Sequence, residues 1–157
     1  MANVVVIGAG LGGLPAAYEL RHLLPSEHTV TVISEKSEFT FIPGLIRVAF
    51  NLKPLAHVQL GLARLAQRHN LNWVSGKVTA LDPTQQRLTI EGQAAIAYDY
   101  LLIATGASLA WDWVPGIGPH GGYTHSVCTP DHAPEARPAR PALPRNHRPI
   151  VVGAPPG

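Results

Sequence analysis

The stretch Asn3-Val4-Val5-Val6-Ile7-Gly8-Ala9-Gly10-Leu11-Gly12-Gly13-Leu14-Pro15-Ala16-Ala17 decides the fold. Its first five residues form a short run dominated by β-branched side chains, the pattern of a strand buried on both faces of a parallel sheet. Glycines follow at once, and a helix is predicted from about Leu11 to Leu24, with Leu14, Ala17, Leu20 and Leu24 on one face. Pro25-Ser26-Glu27 ends it, and Thr29 to Ser34 resumes as strand. The whole is a β-α-β unit of ~30 residues.

Within it, Gly8, Gly10 and Gly13 set a G-x-G-x-x-G spacing. The first glycine permits a tight turn out of the strand, the second a close backbone approach to a pyrophosphate, and the third a helix lying against the sheet. The unpaired amides at the helix start point at the phosphates, and the macrodipole supports them. Glu35 stands at the end of the second strand, 22 residues beyond Gly13. A carboxylate there accepts hydrogen bonds from both ribose hydroxyls and repels a 2′-phosphate. The reading is a dinucleotide site that disfavours NADP.

Outward from this unit, a loop is expected around Pro43 and Gly44, then a second helix from Leu55 to His69. Short strands are expected near Trp73, at Val78 to Leu81, Arg87 to Ile90 and Ala95 to Tyr98, punctuated by Asp82-Pro83 and Glu91-Gly92. Tyr100 to Ala104 reads as another buried strand. After Ala133 the composition changes, with Pro134, Pro138, Pro141, Pro144 and Pro149 interleaved with Arg137, Arg140, Arg145 and Arg148. Proline at that frequency is expected to exclude a helix and leave the segment extended or disordered. Ile150-Val151-Val152-Gly153-Ala154 then echoes Val5-Val6-Ile7-Gly8-Ala9 as a strand entering a glycine turn.

Composition narrows the function classes. The 157 residues carry 12 basic and 10 acidic side chains, a formal charge of +2, which gives no reason to expect nucleic acid as a partner. No apolar run approaches the ~18 residues of a membrane span, and the start lacks a basic secretory n-region, so a cytoplasmic location is expected. One cysteine, Cys128, excludes an internal disulfide, and eight scattered histidines lack metal-ligand spacing.

An inserted strand meander followed by Tyr100-Leu101-Leu102-Ile103-Ala104-Thr105-Gly106 resembles flavoproteins of the pyridine nucleotide-disulfide oxidoreductase type. In those, the glycine motif, the acid after the second strand and an Ala-Thr-Gly turn surround FAD. The resemblance implies an α/β fold: a Rossmann-like FAD-binding βαβ domain with a small inserted β-meander, within an incomplete protein of two dinucleotide domains. It implies FAD contacts from Gly8, Gly10, Leu11, Gly12, Gly13, Glu35, Lys36, Pro43, Val78, Ala104, Thr105 and Gly106.

Three stretches are most similar to sulfide:quinone oxidoreductases and flavocytochrome c sulfide dehydrogenases: Gly10 to Glu19, Phe39-Thr40-Phe41-Ile42-Pro43, and Gly121 to Ala133 with Cys128 inside it. That resemblance implies a redox role for Cys128, with sulfide as electron donor and a quinone as acceptor in the full-length protein. The chemistry suits sulfur, a soft nucleophile and leaving group, but a disulfide needs a second cysteine that this sequence lacks. His125 and His132 flank Cys128 and are candidates to lower its pKa or relay protons, beside the plainer reading of local hydrogen bonding. Trp111 and Trp113 are expected to be packing residues.

The domain expectation is residues 1–110 for FAD, 111–133 for a connection carrying Cys128, 134–149 for an irregular Pro/Arg segment, and 150–157 for the start of a second nucleotide-type domain. A truncated or frame-disrupted product is expected, without half of the flavin pocket, the quinone site or the parts that would make a peripheral membrane contact, and therefore not a competent enzyme alone. Two other readings stay open: a type II NADH:quinone dehydrogenase, which needs no cysteine, and a non-catalytic FAD-binding remnant.

Overall fold

The computed structural model describes residues 1–138 and Gly153. Strands run at Asn3–Ile7 (β1), Thr29–Ser34 (β2), Glu38–Thr40 (β3), Gln59–Gly61 (β4), Asn72–Ser75 (β5), Val78–Asp82 (β6), Arg87–Ile90 (β7), Ile96–Ala97 (β8) and Tyr100–Ile103 (β9). Helices span Gly13–Leu23 (α1), Leu45–Ala49 (α2), Leu62–Arg68 (α3) and His132–Glu135 (α4). The chain divides into two compact units. One holds Met1–Phe39 with Leu60–Ala107, and the other Thr40–Gln59 with the described residues from Ser108 onward.

The first unit is built on a parallel four-stranded sheet in the order β5-β2-β1-β9. β1 lies inside it because its side chains satisfy both faces. Val6 points toward α1 and α3 and packs with Leu14, Ala17, Val30, Val32, Leu62 and Ala66. Val5 and Ile7 point the other way and meet Ile33, Leu88, Ile90 and Tyr98. The period of two puts neighbours on opposite faces, so a continuous apolar run yields two cores. The antiparallel meander β6-β7-β8 covers the second face, with Leu88 and Ile90 of β7 turned inward. Asn3 ties the sheet edge together: its amide donates to Asp99 Oδ2 (2.6 Å), its Nδ2 to the Ala97 carbonyl (2.6 Å), and its Oδ1 accepts from Thr29 Oγ1 (2.9 Å).

In the second unit, α2 and α4 pack together with Leu45, Val48, Ala49, Val58 and Ala133 as the core. Arg137 Nε donates to the Val48 carbonyl at 3.1 Å.

Several expectations are corrected. The helix foreseen from Leu11 begins at Gly13, leaving Gly10 to Gly12 as an open turn. The helix foreseen over Leu55 to His69 forms only from Leu62. Leu55–Val58 is a single 3-10 turn, and Gln59–Gly61 is strand. Non-local bonds outweigh helical periodicity there: the Val58 carbonyl accepts from the Phe41 amide (2.8 Å) and the Leu62 amide donates to Ser37 O (2.9 Å). The loop foreseen around Pro43 is a 3-10 turn, Ile42–Gly44, running into α2, a helix the periodicity did not reveal. A helix also forms across Pro134. The proline sits at the third helical position, where a backbone N–H would have no partner within the helix, so its absence costs little. The rest of the Pro/Arg segment, and the strand expected at 150–154 apart from Gly153, lie outside the described residues.

Tyr18 shows a local misfit in the first core. Its ring stacks on His69 with centroids 4.0 Å apart, but its hydroxyl is buried without a hydrogen-bond partner among the described residues. Burial pushes the phenol above its ordinary value, and the Arg68 charge pulls weakly the other way. The folded chain therefore keeps this proton at pH values where the unfolded chain has lost it, so the contribution to stability is whole below about pH 10 and declines above it. Tyr18→Phe is expected to match or exceed the wild type by about 1 kcal/mol at neutral pH. The margin should widen in alkali; urea unfolding at both pH values measures it, and a less stable phenylalanine variant would contradict the reading.

Candidate functional site

Three chain segments meet at the carboxy-terminal ends of β1, β2 and β9. Gly8 leaves β1 with φ +99°, a conformation that L side chains rarely adopt, and its amide donates to the Ile33 carbonyl at 2.8 Å. A Cβ on Gly8 would lie 2.2 Å from the Ala104 carbonyl oxygen, and one on Gly13 would lie 1.9 Å from Gly8 O and 3.2 Å from Ala104 Cβ. Helix α1 therefore starts in backbone contact with the turn. Only glycine allows this at both positions.

Gly10 and Gly12 are different. Nothing lies within 4 Å of a Cβ placed on either, and both are exposed. No side chain caps the helix, and its first turn holds no acidic residue. The amides of Leu11, Gly12 and Gly13 find no acceptor among the described residues, whereas Leu14 N already bonds to Gly10 O and Ala16 N to Gly12 O. Free donors beside open space at a helix start form a receptor for an anion.

Glu35 and Lys36 follow β2 and are exposed, and Glu35 forms no ion pair among the described residues. Because Ile7 is in register with Ile33, Glu35 emerges beside the glycine turn. On the other flank of β1, the Ala104 amide donates to Ile7 O at 2.8 Å, and Thr105 and Gly106 (φ +79°) run out exposed. Val78 opens β6 opposite Ile90 and is half-buried. Gly8, Gly13, Glu35 and Ala104 to Gly106 are thus brought together by the sheet, with Leu11 half-exposed on the turn.

Pro43 and Cys128 belong to the second unit. Pro43 is exposed in the 3-10 turn before α2. Cys128 is a free, exposed thiol whose amide donates to Ser126 Oγ at 3.2 Å. His125 is exposed and lines a cavity of about 340 Å³ with Pro119, Gly122, Tyr123, Thr124 and Glu135. His132 is buried, and its Nε2 faces His120 Nε2 at 3.0 Å. His120 was not singled out in the sequence, where its separation from His132 fits no element's period. Trp111 is half-buried over Gly118, as a packing residue should be, but Trp113 is 75% exposed and departs from that expectation. No group of three metal-ligating side chains occurs among the described residues.

A dinucleotide-binding turn, a carboxylate after the second strand and an inserted meander define a dinucleotide-binding oxidoreductase fold. The family described as pyridine nucleotide-disulphide oxidoreductase matches residues 2–156. The chain belongs to that family, whose members are FAD-binding flavoproteins. It is similar to a sulfide-quinone reductase of Aquifex aeolicus, with 35% identity over 155 residues, covering 99% of this chain and 35% of the relative. It is also similar to a type II NADH:quinone oxidoreductase of Mycobacterium tuberculosis, with 30% identity over 69% of this chain and 23% of the relative. The X-ray structure of the Aquifex aeolicus sulfide:quinone oxidoreductase superposes with a TM-score of 0.80 at 34% identity, over 93% of this chain and 33% of that one. The chain spans about a third of the length of the sulfide-quinone relative and less of the NADH:quinone one.

The residues fit FAD. The uncapped amides and uncovered glycines suit a diphosphate, and an unpaired carboxylate beside them suits a ribose. Gly10→Ala and Gly13→Ala separate cofactor binding from folding. The Gly10 variant is expected to keep the wild-type melting temperature while losing FAD affinity about tenfold or more, because its methyl group fills only the cradle. Gly13→Ala should itself destabilise the fold, by about 1–3 kcal/mol, as overpacking does. Thermal melts and flavin titration of both proteins read the difference; equal losses of stability would contradict it.

Proposed function

We propose that this chain is the FAD-anchoring portion of a flavoprotein that takes electrons from sulfide at Cys128 and delivers them to a quinone. One observation carries the reading. The similarity to a sulfide-quinone reductase extends over 99% of the chain, through the loop that holds Cys128 and not only through the nucleotide-binding unit.

In this reading the amides of Leu11 to Gly13 hold the FAD diphosphate and Glu35 accepts hydrogen bonds from the adenosine ribose. Lys36, Val78 and Ala104 to Gly106 line the cofactor. When bound, FAD supplies the two-electron carrier between the sulfur centre and the quinone. Cys128 supplies the sulfur centre. Its exposure lets a small anion such as hydrosulfide reach it, and as thiolate it is both nucleophile and leaving group. A disulfide attacked by hydrosulfide would yield a persulfide on one cysteine and a thiolate on the other. With one cysteine among these 157 residues, the second sulfur must come from another polypeptide stretch. A quinone acceptor implies a peripheral contact with a membrane, and no helix among the described residues is long and apolar enough to cross one.

The NADH:quinone relatives favour a second reading in which NADH is the donor and Cys128 is idle. Anaerobic mixing of the intact flavin-loaded protein with sulfide or with NADH, following loss of the flavin's visible absorbance, decides between them. Sulfide is expected to bleach the flavin, and Cys128→Ser to slow that bleaching by about 100-fold or more, with flavin content unchanged. Rapid reduction by NADH with no response to sulfide would reject the proposal. Glu35→Ala is expected to lower flavin affinity by about 10- to 100-fold, the loss of a charge-assisted pair of hydrogen bonds.

A further inference from the structure

The His120–His132 pair is chemistry that the proposed function leaves unused. His132 is 8% exposed, and its Nδ1 is buried with no hydrogen-bond partner among the described residues. Its Nε2 lies 3.0 Å from His120 Nε2, and the two rings meet edge to face with centroids 4.8 Å apart. Trp111 presses on the same ring at 5.8 Å and 74°. The two histidines are twelve residues apart and bracket Cys128.

We propose that this pair is an acid-sensitive clasp closing the loop that carries Cys128. Around the two histidines the chain is held by short, local bonds. Gly118 N donates to Thr124 Oγ1 (2.8 Å), Tyr123 N to Gly116 O (2.8 Å), Cys128 N to Ser126 Oγ (3.2 Å) and His132 N to Thr129 Oγ1 (3.2 Å). Ser126 is itself buried. None of these bonds spans the loop mouth; the imidazole pair does.

The contact needs one ring N–H to donate and one bare ring nitrogen to accept. It therefore survives with both rings neutral, or with one proton added, and not with two. The second proton would set two N–H donors and two cations against each other, one on the buried ring of His132 and one on the exposed ring of His120. The titratable and charged groups on the surrounding elements are Asp112 beside Trp111, Arg47 on α2, Asp131, Glu135 and Arg137 at α4, and His125, Tyr123 and Cys128 in the loop. Among the described residues no carboxylate comes within 4.0 Å of a nitrogen of either ring, so no ion pair offsets the repulsion. Acid is thus expected to open the clasp and release the loop, whichever substrate the thiol meets.

Amide hydrogen exchange on the intact protein tests this, with rates corrected for the intrinsic pH dependence of exchange. In the wild type, protection of the Gly118 and Cys128 amides is expected to fall about tenfold or more between about pH 7.5 and about pH 5. His120→Gln keeps a donor and an acceptor but gains no proton, and its protection should stay level with pH. His120→Phe should show low protection at both pH values. The amides of Val5 and Val6 in β1 serve as internal controls and should not change. Level protection in the wild type, an unaltered fall in His120→Gln, or parallel loss at Val5 and Val6 would each overturn the clasp.

Discussion

The close approach of α1 to the turn after β1 is the constraint on which the first unit depends. A helix normally stands off a sheet by the thickness of its side chains. Here Gly13 sits where a Cβ would enter the carbonyl of Gly8, and Gly8 sits where a Cβ would enter the carbonyl of Ala104. The helix start, the β1 exit and the β9 exit are consequently locked at backbone contact. That leaves the amides of Leu11 to Gly13 uncovered and aimed at the space beyond the sheet. The missing Cβ atoms of Gly8 and Gly13 serve the packing, and those of Gly10 and Gly12 leave the space beside the amides open.

The sheet carries this constraint outward. Its register sets Ile7 beside Ile33 on one side and beside Ile103 on the other, so that Glu35 and Ala104 leave their strands at the same end as Gly8. Ligands of open α/β sheets bind outside the carboxyl ends of the strands, and the candidate residues of this unit gather there. The cores on the two faces of β1 hold the arrangement rigid, because each inward side chain is matched from helices on one face and from the meander on the other.

In the second unit, order comes by other means. Its described residues form mainly short helices and 3-10 turns, and its core rests on α2 and α4. The Cys128 loop within it is shaped by glycines and hydroxyls. Gly118 underlies the Trp111 ring, Gly122 sits against the Gly118 carbonyl, and Thr124, Ser126 and Thr129 each accept a backbone amide. Local bonds of this kind form and break at low cost, in a segment that presents an exposed thiol.

Asn3 to Ile7, Thr29 to Ser34 and Arg87 to Ile90 were legible from the sequence to the residue, because burial on a sheet face selects β-branched and apolar side chains directly. The glycine spacing was legible for a similar reason: backbone contact at Gly8 and Gly13 leaves no residue type but glycine. Helix α2, the interruption at Gln59 to Gly61 and the His120–His132 contact were not. Each is decided by groups far apart in the chain, the carbonyl of Val58 meeting the amide of Phe41, or one imidazole meeting another across twelve residues. The sequence by itself determined the β-α-β unit, its glycine turn and its acid. Only tertiary structure decided which carbonyls and rings would be met from outside, since a hydrogen bond between distant residues imposes no periodicity on either of them.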